Sequence, residues 1–137
     1  MRWRHIRLVA EIMKPIDVKG AEFDNQIGTE GIVFVDFWAA WCGPCRMFAP
    51  IFEAAAEKHP DIKFLKVDTD AEQELAGAAQ ITSLPTLMAF RDGILVFRQP
   101  GALPGPQFEQ LIEGVRGIDM EEVRKELAKQ AGDTPKS

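Results

Sequence analysis

The chain has 137 residues, 46% of them apolar and 27% charged, with two cysteines and a net charge of −5. That length suits one domain with a real core, and the composition is ordinary for a globular protein. Arg2, Arg4 and Arg7 against Glu11 place +2 in residues 1–12 and leave −7 for the remainder, a poor match for nucleic acid or an anionic membrane. No stretch approaches the roughly 20 apolar residues of a membrane span.

The basic N-terminus is interrupted by Arg7 and Glu11, and no small-residue cleavage site follows it, so no signal peptide is expected. Residues 1–12 are read as a loose arm ahead of a domain spanning 13–117. From Ile16 to Gly31 the pattern is a short edge strand and then a helix, with Phe23 and Ile27 four apart and Gly28 and Gly31 ending it. Ile32 to Trp38 is apolar on both parities, as in a strand buried on both faces of a parallel sheet. After Cys45, apolar residues from Met47 to Ala55 form one face of a helix that ends near His59-Pro60. Pro44 suits the first turn of that helix, and Pro50 should kink it.

Ile62 to Val67 reads as another strand, and Asp70 can cap a short helix containing Leu75 and Ala76. Pro85 opens a strand over Thr86–Phe90, and Asp92-Gly93 signals a hairpin into Ile94–Phe97. Pro104 to Arg116 reads as a helix, broken by Gly117. Residues 118–137 add a last helix, with Asp119 as cap and Glu122 three residues on, and then a polar tail. Its stripe is Met120, Val123, Leu127 and Ala131, read as a packing appendage. The order of elements gives an α/β fold with one mixed sheet of about five strands and helices on both faces.

The chemistry concentrates in Trp41-Cys42-Gly43-Pro44-Cys45. A Cys-x-x-Cys pair can be half a zinc site, but that needs further spaced ligands, and the chain offers only the single His5 and His59. A dithiol that closes to a disulfide fits better. Cys42 falls where a buried strand gives way to a helix N-terminus, whose free N–H groups and dipole favour an anion. The thiolate is the attacking species, so Cys42 is the expected nucleophile. Cys45, one turn deeper and more shielded, is the expected resolving thiol. Gly43 lets a partner backbone approach, and Pro44 stiffens the turn. Asp36 is a lone carboxylate in an apolar strand. Burial would raise its pKa toward neutrality and suit it as a general base for a thiol, directly or through a water. The plainer alternative is an aspartate at a frayed, solvated strand end.

Val35-Asp36-Phe37-Trp38-Ala39-Ala40-Trp41-Cys42-Gly43-Pro44-Cys45 resembles the active-site stretch of the thioredoxin family. Ser83-Leu84-Pro85-Thr86 resembles its cis-proline loop, and Gly101-Ala102 its substrate-side glycine loop. The likeness covers nearly all of residues 14–117. It implies a thioredoxin fold with an extra C-terminal helix, working as a protein-disulfide reductase. Cys42 would attack a client disulfide and Cys45 would resolve the mixed disulfide. A lowered Cys-x-x-Cys thiol pKa is a property of that family, and the resemblance implies it for Cys42.

The resemblance further makes Asp36 the base for Cys45, with Lys66 as its neighbour. Pro85 would be cis and face the dithiol, and Ser83, Leu84, Gly101 and Ala102 would line the client groove. Trp41 would form part of the rim and Trp38 would support the loop. No bound cofactor or metal is implied. Electrons would come from NADPH through a flavin-dependent thioredoxin reductase, to a cytoplasmic monomer acting on disulfide-containing client proteins. Three positions depart from the pattern: Ala40, where acidic residues or proline are common; Ala79, where an aromatic is expected; and Pro104, which replaces a hydroxyl cap, so that helix would start near Pro106. Two rival readings are a binding module that uses the groove without turnover, and an oxidase or isomerase of an oxidising compartment.

Overall fold

The computed structural model describes residues 14–132; the arm over residues 1–12 and the tail beyond 132 lie outside the described residues. The chain runs β1 (Ile16–Asp17), a 3-10 turn (Gly20–Glu22), α1 (Phe23–Ile27), β2 (Ile32–Trp38), α2 (Gly43–Lys58) and β3 (Lys63–Asp68). It continues through α3 (Gln73–Ala78), β4 (Thr86–Arg91), β5 (Ile94–Pro100), α4 (Gly105–Arg116) and α5 (Met120–Gly132). The five strands lie in the order β1-β3-β2-β4-β5. The first three are mutually parallel, while β4 runs antiparallel to both β2 and β5.

Side-chain alternation along central β2 sorts the core into two layers. Ile32 and Phe34 pack with Phe48 and Phe52 of α2 and Phe108 and Ile112 of α4. Val33, Val35 and Phe37 pack on the other face with Phe23 of α1, with Leu75 of α3 against them. The first layer is aromatic: the ring centroids of Phe34, Phe48, Phe52, Phe64 and Phe108 lie 5.2–6.4 Å apart in contacting pairs. Each tilted or edge-on pair adds about 0.5–1.5 kcal/mol beyond the burial of its area. Asp36 continues the Ile32-Phe34 series, which puts a carboxylate on the α2 side of the sheet.

Several boundaries differ from the sequence reading for physical reasons. Asp70 does not cap α3: the residue before that helix is Glu72, with no side-chain cap bond, and Asp70 Oδ2 instead accepts the Trp41 indole N–H at 3.0 Å. Helix α4 begins at Gly105, earlier than Pro106. Pro104 is extended (φ −60°, ψ 153°) and is the N-cap without a side-chain bond; Pro106 in the first turn has no N–H, so one fewer donor there needs a cap. Strand β5 runs three residues past Phe97, to Pro100, because its register with β4 persists to Thr86. Helix α2, by contrast, ends at Lys58 beside His59-Pro60 as expected, with Pro50 inside it. In α5 only Met120 is buried, and Leu127 is 45% exposed; the apolar stripe packs at its first turn and not along its length. Asp119 does cap that helix, its Oδ1 accepting the N–H groups of Glu121 and Glu122.

Candidate functional site

The two cysteines form a disulfide, with Cα atoms 5.2 Å apart. Cys42 is the N-cap of α2, in extended conformation (φ −89°, ψ 114°), and Pro44 occupies the first turn. Its Sγ accepts the Cys45 backbone N–H at 3.2 Å. A sulfur at this position meets an otherwise unpaired helix donor and the positive end of the helix dipole, and both favour negative charge on Cys42. Burial does not separate the pair: the residues are 5% and 3% exposed in this oxidised form. Cys45 is the less exposed of the two, as expected, but by a margin too small to tell the sulfurs apart, and what distinguishes them is position on the helix.

Ala39, Cys42 and Cys45 make a small apolar cluster, with Trp38 and Leu84 packed against it. Leu84 brings in the next loop, where the Leu84–Pro85 peptide bond is cis. The Pro85 carbonyl accepts the Gly101 N–H at 2.8 Å, which ties the glycine loop to the proline loop. Gly101 has φ +100°, a region open to glycine and strained for side-chain-bearing residues. Ser83, Gly101 and Ala102 are exposed, whereas Pro85 is buried. A Cβ built on Gly43 would meet nothing within 4 Å, so the space in front of the Cys-x-x-Cys turn is open.

Asp36 is 1% exposed, and neither of its carboxyl oxygens has a hydrogen-bond partner. Loss of hydration pushes its pKa up from 3.8 to about 7, and the positive charge of Lys66 pulls the other way. Lys66 is the register partner of Asp36 on β3, and its Nζ lies 4.9 Å from the centre of the Trp38 ring. Unlike the solvated strand end, this position is enclosed. The Trp38 indole N–H is likewise buried without a partner. Its carbonyl, by contrast, accepts both the Thr69 N–H at 2.9 Å and the Thr69 hydroxyl at 3.0 Å.

Trp41 is 68% exposed and Met47 73%, which leaves apolar surface beside the disulfide. Two side-chain contacts hold the loop before Cys42, and residue spacing did not reveal either. One is the Trp41–Asp70 bond already described. The other runs from Arg46 Nη1 to the Ala40 carbonyl at 2.8 Å. Arg46 lies one turn into α2 and reaches back six residues, a contact that an arginine after a Cys-x-x-Cys pair only suggests once the helix start is known.

The family profile described as thioredoxin matches residues 14–114. The chain belongs to the thioredoxin family. It is 48% identical over 115 residues to a putative thioredoxin 2 of Streptomyces coelicolor, covering 84% of this chain and 86% of that one. It is 40% identical over 101 residues to the thioredoxin of Mycoplasmoides gallisepticum, covering 74% of this chain and all of that one. Among solved structures, the thioredoxin of Plasmodium falciparum superposes with a TM-score of 0.67 at 38% identity, over 72% of this chain and 97% of that one. A mutant thioredoxin from Halobacterium salinarum gives 0.71 at 35%, over 78% and 95%. With its adjacent cysteine pair, this thioredoxin-family chain is a thiol–disulfide oxidoreductase that reduces protein disulfides. No described helix is long and apolar enough to cross a membrane.

Proposed function

We propose that Cys42 is the attacking thiol of this reductase, Cys45 the resolving thiol, and Asp36 the base that prepares Cys45. The observation that carries the reading is the cysteine pair at the N-terminus of α2, with a buried, unpaired carboxylate on the face of β2 that meets α2. In the reduced protein the Cys42 thiolate attacks one sulfur of a client disulfide. A Cys42–client bond forms, and the client S–S bond breaks. Asp36 takes the Cys45 proton, and the resulting thiolate attacks Cys42 Sγ. The Cys42–client bond breaks as the Cys42–Cys45 bond forms, and the two client thiolates released in the two steps take up the proton held by Asp36 and one from solvent. Two electrons pass to the client, and the Cys42–Cys45 disulfide seen here is the oxidised product.

A base with a pKa of about 7 suits this cycle, because it is part ionised at neutral pH and can both accept and return a proton. Lys66 supports the ionised form of Asp36. Pro85 and its neighbours Ser83 and Leu84, with Gly101 and Ala102, form the groove for an extended client segment. Trp41, Gly43 and Pro44 form the face that meets it. The unit that does this is the domain over residues 13–117, with the helix beyond it as an appendage. Electrons return from NADPH through a flavin-dependent thioredoxin reductase in the cytoplasm. The acidic chain acts as a monomer on disulfide-containing proteins.

The test is reduction of insulin disulfides in an assay coupled to NADPH and thioredoxin reductase. Wild-type protein should turn over, and Cys42→Ser should abolish turnover. Cys45→Ser should trap a client as a stable mixed disulfide. Wild-type activity no better than free dithiothreitol would overturn the reading.

A further inference from the structure

Among the described residues, Arg46 differs from every other arginine. Arg91 donates to three carbonyls, those of Val115, Arg116 and Ile118, and Arg98 to those of Ala79 and Gln80. Arg116 pairs with Asp61, and Arg124 with Asp92. Arg46 makes a single side-chain contact, to the Ala40 carbonyl, and no described carboxylate pairs with it. Both residues are exposed. Position 40 offers only a methyl group, so nothing on the loop itself neutralises the guanidinium. The hydrogen bond holds the cation beside Trp41 and the disulfide while most of its N–H fork stays unused.

An anchored guanidinium with free donors is a ready binding site for a carboxylate, to which it can donate two parallel hydrogen bonds. We propose that Arg46 makes this reductase favour client disulfides with Asp or Glu beside the attacked cysteine. The inference rests on the cycle proposed above and names a class of client for the same site. The chain's net charge of −5 opposes such clients at long range. That field is largely screened beyond roughly 8 Å at physiological ionic strength, so at contact the nearby cation decides. Asp70, on the loop after β3, already holds the Trp41 indole with one oxygen. It contacts the Trp41 side chain, whereas Arg46 contacts the Ala40 carbonyl, so the two charges touch the rim at different points.

The test uses three short disulfide peptides that differ only in the residues flanking one cysteine, carrying Glu, Gln or Lys. Second-order rates are measured with full-length reduced protein at physiological ionic strength. In Arg46→Gln the ratio of the Glu-peptide rate to the Lys-peptide rate should fall by about threefold to fivefold, the scale of one exposed ion contact. The Gln peptide should fall between them, and Arg46→Lys should restore part of the ratio. An unchanged ratio would overturn the inference. So would equal slowing of all three peptides, which would place the effect on the Cys42 thiolate and not on the client. If the wild-type protein reduces none of the peptides, the proposed cycle itself fails, and that outcome is distinct from either of these.

Discussion

The two ends of α2 are built on opposite principles. At its C-terminal end the buried His59 has a partner on each ring nitrogen. His59, 8% exposed, has Nε2 2.8 Å from Glu109 and Nδ1 2.9 Å from Arg116 Nη2. An arginine can only donate, so Nδ1 accepts and Nε2 carries the hydrogen given to Glu109. Arg116 also grips Asp61 through both carboxylate oxygens, which holds the Asp61 carboxyl below its usual range. At the N-terminal end, Asp36 and the Trp38 indole are buried with no partner, and Trp41 stands exposed. One end of the helix is tied to α4 for stability. The other keeps a carboxylate in an environment that resists its charge, which suits it to proton transfer and costs the fold stability.

Substitutions at the two ends should therefore act with opposite signs. The largest effect belongs to Asp36→Asn. Folding raises the Asp36 pKa from 3.8 to about 7, so the folded chain binds this proton more tightly than the unfolded chain. The cost of burying the charge is absent below pH 3.8, grows through the window up to about 7 and is complete above it. Urea unfolding of the oxidised proteins should show Asp36→Asn gaining about 4 kcal/mol relative to wild type between pH 4 and pH 8. Insulin reduction by the same variant should slow near neutral pH. A stability difference that does not vary with pH would break the comparison.

Arg116→Ala should act the other way. It removes a charge-assisted pair with Asp61 and leaves His59 Nδ1 without its donor, so unfolding should show a loss of about 2 kcal/mol. The rate of insulin reduction should stay close to wild type, since this end of α2 takes no part in the chemistry. A stability near wild type would mean that the paired end does not carry the fold. The smallest effect is expected from Asp70→Ala. Its bond to Trp41 is exposed, so stability should change by less than about 1 kcal/mol. Tryptophan fluorescence should still report a freed indole; an unaltered spectrum would show that Asp70 does not hold the ring.

Much of the fold was legible in the sequence because its signals are local. The run Ile32–Trp38 is apolar on both parities and became the central strand, with helices on both of its faces. Asp92-Gly93 became the hairpin turn, with both residues at positive φ. The cysteine pair and Asp36 stood out by residue type and place. The features that were not legible depend on groups far apart in sequence. Asp70 looked like a cap because its neighbours look like a helix start, yet a tryptophan 29 positions away claims its carboxylate. The α5 stripe has helical spacing along its length, but spacing does not say where the neighbouring surface stops. Arg46 carried no periodic signal, and its meaning came only with the position of the Ala40 carbonyl.

The central claim is that the active-site end of α2 holds Asp36 as a carboxyl that titrates near neutrality. A 13C titration of the aspartate carboxyl signals in the oxidised protein, with Asp36→Asn to assign the resonance, measures this directly. The account predicts a midpoint about 7 for Asp36. A midpoint near 4, the value of an ordinary solvated aspartate, would contradict it.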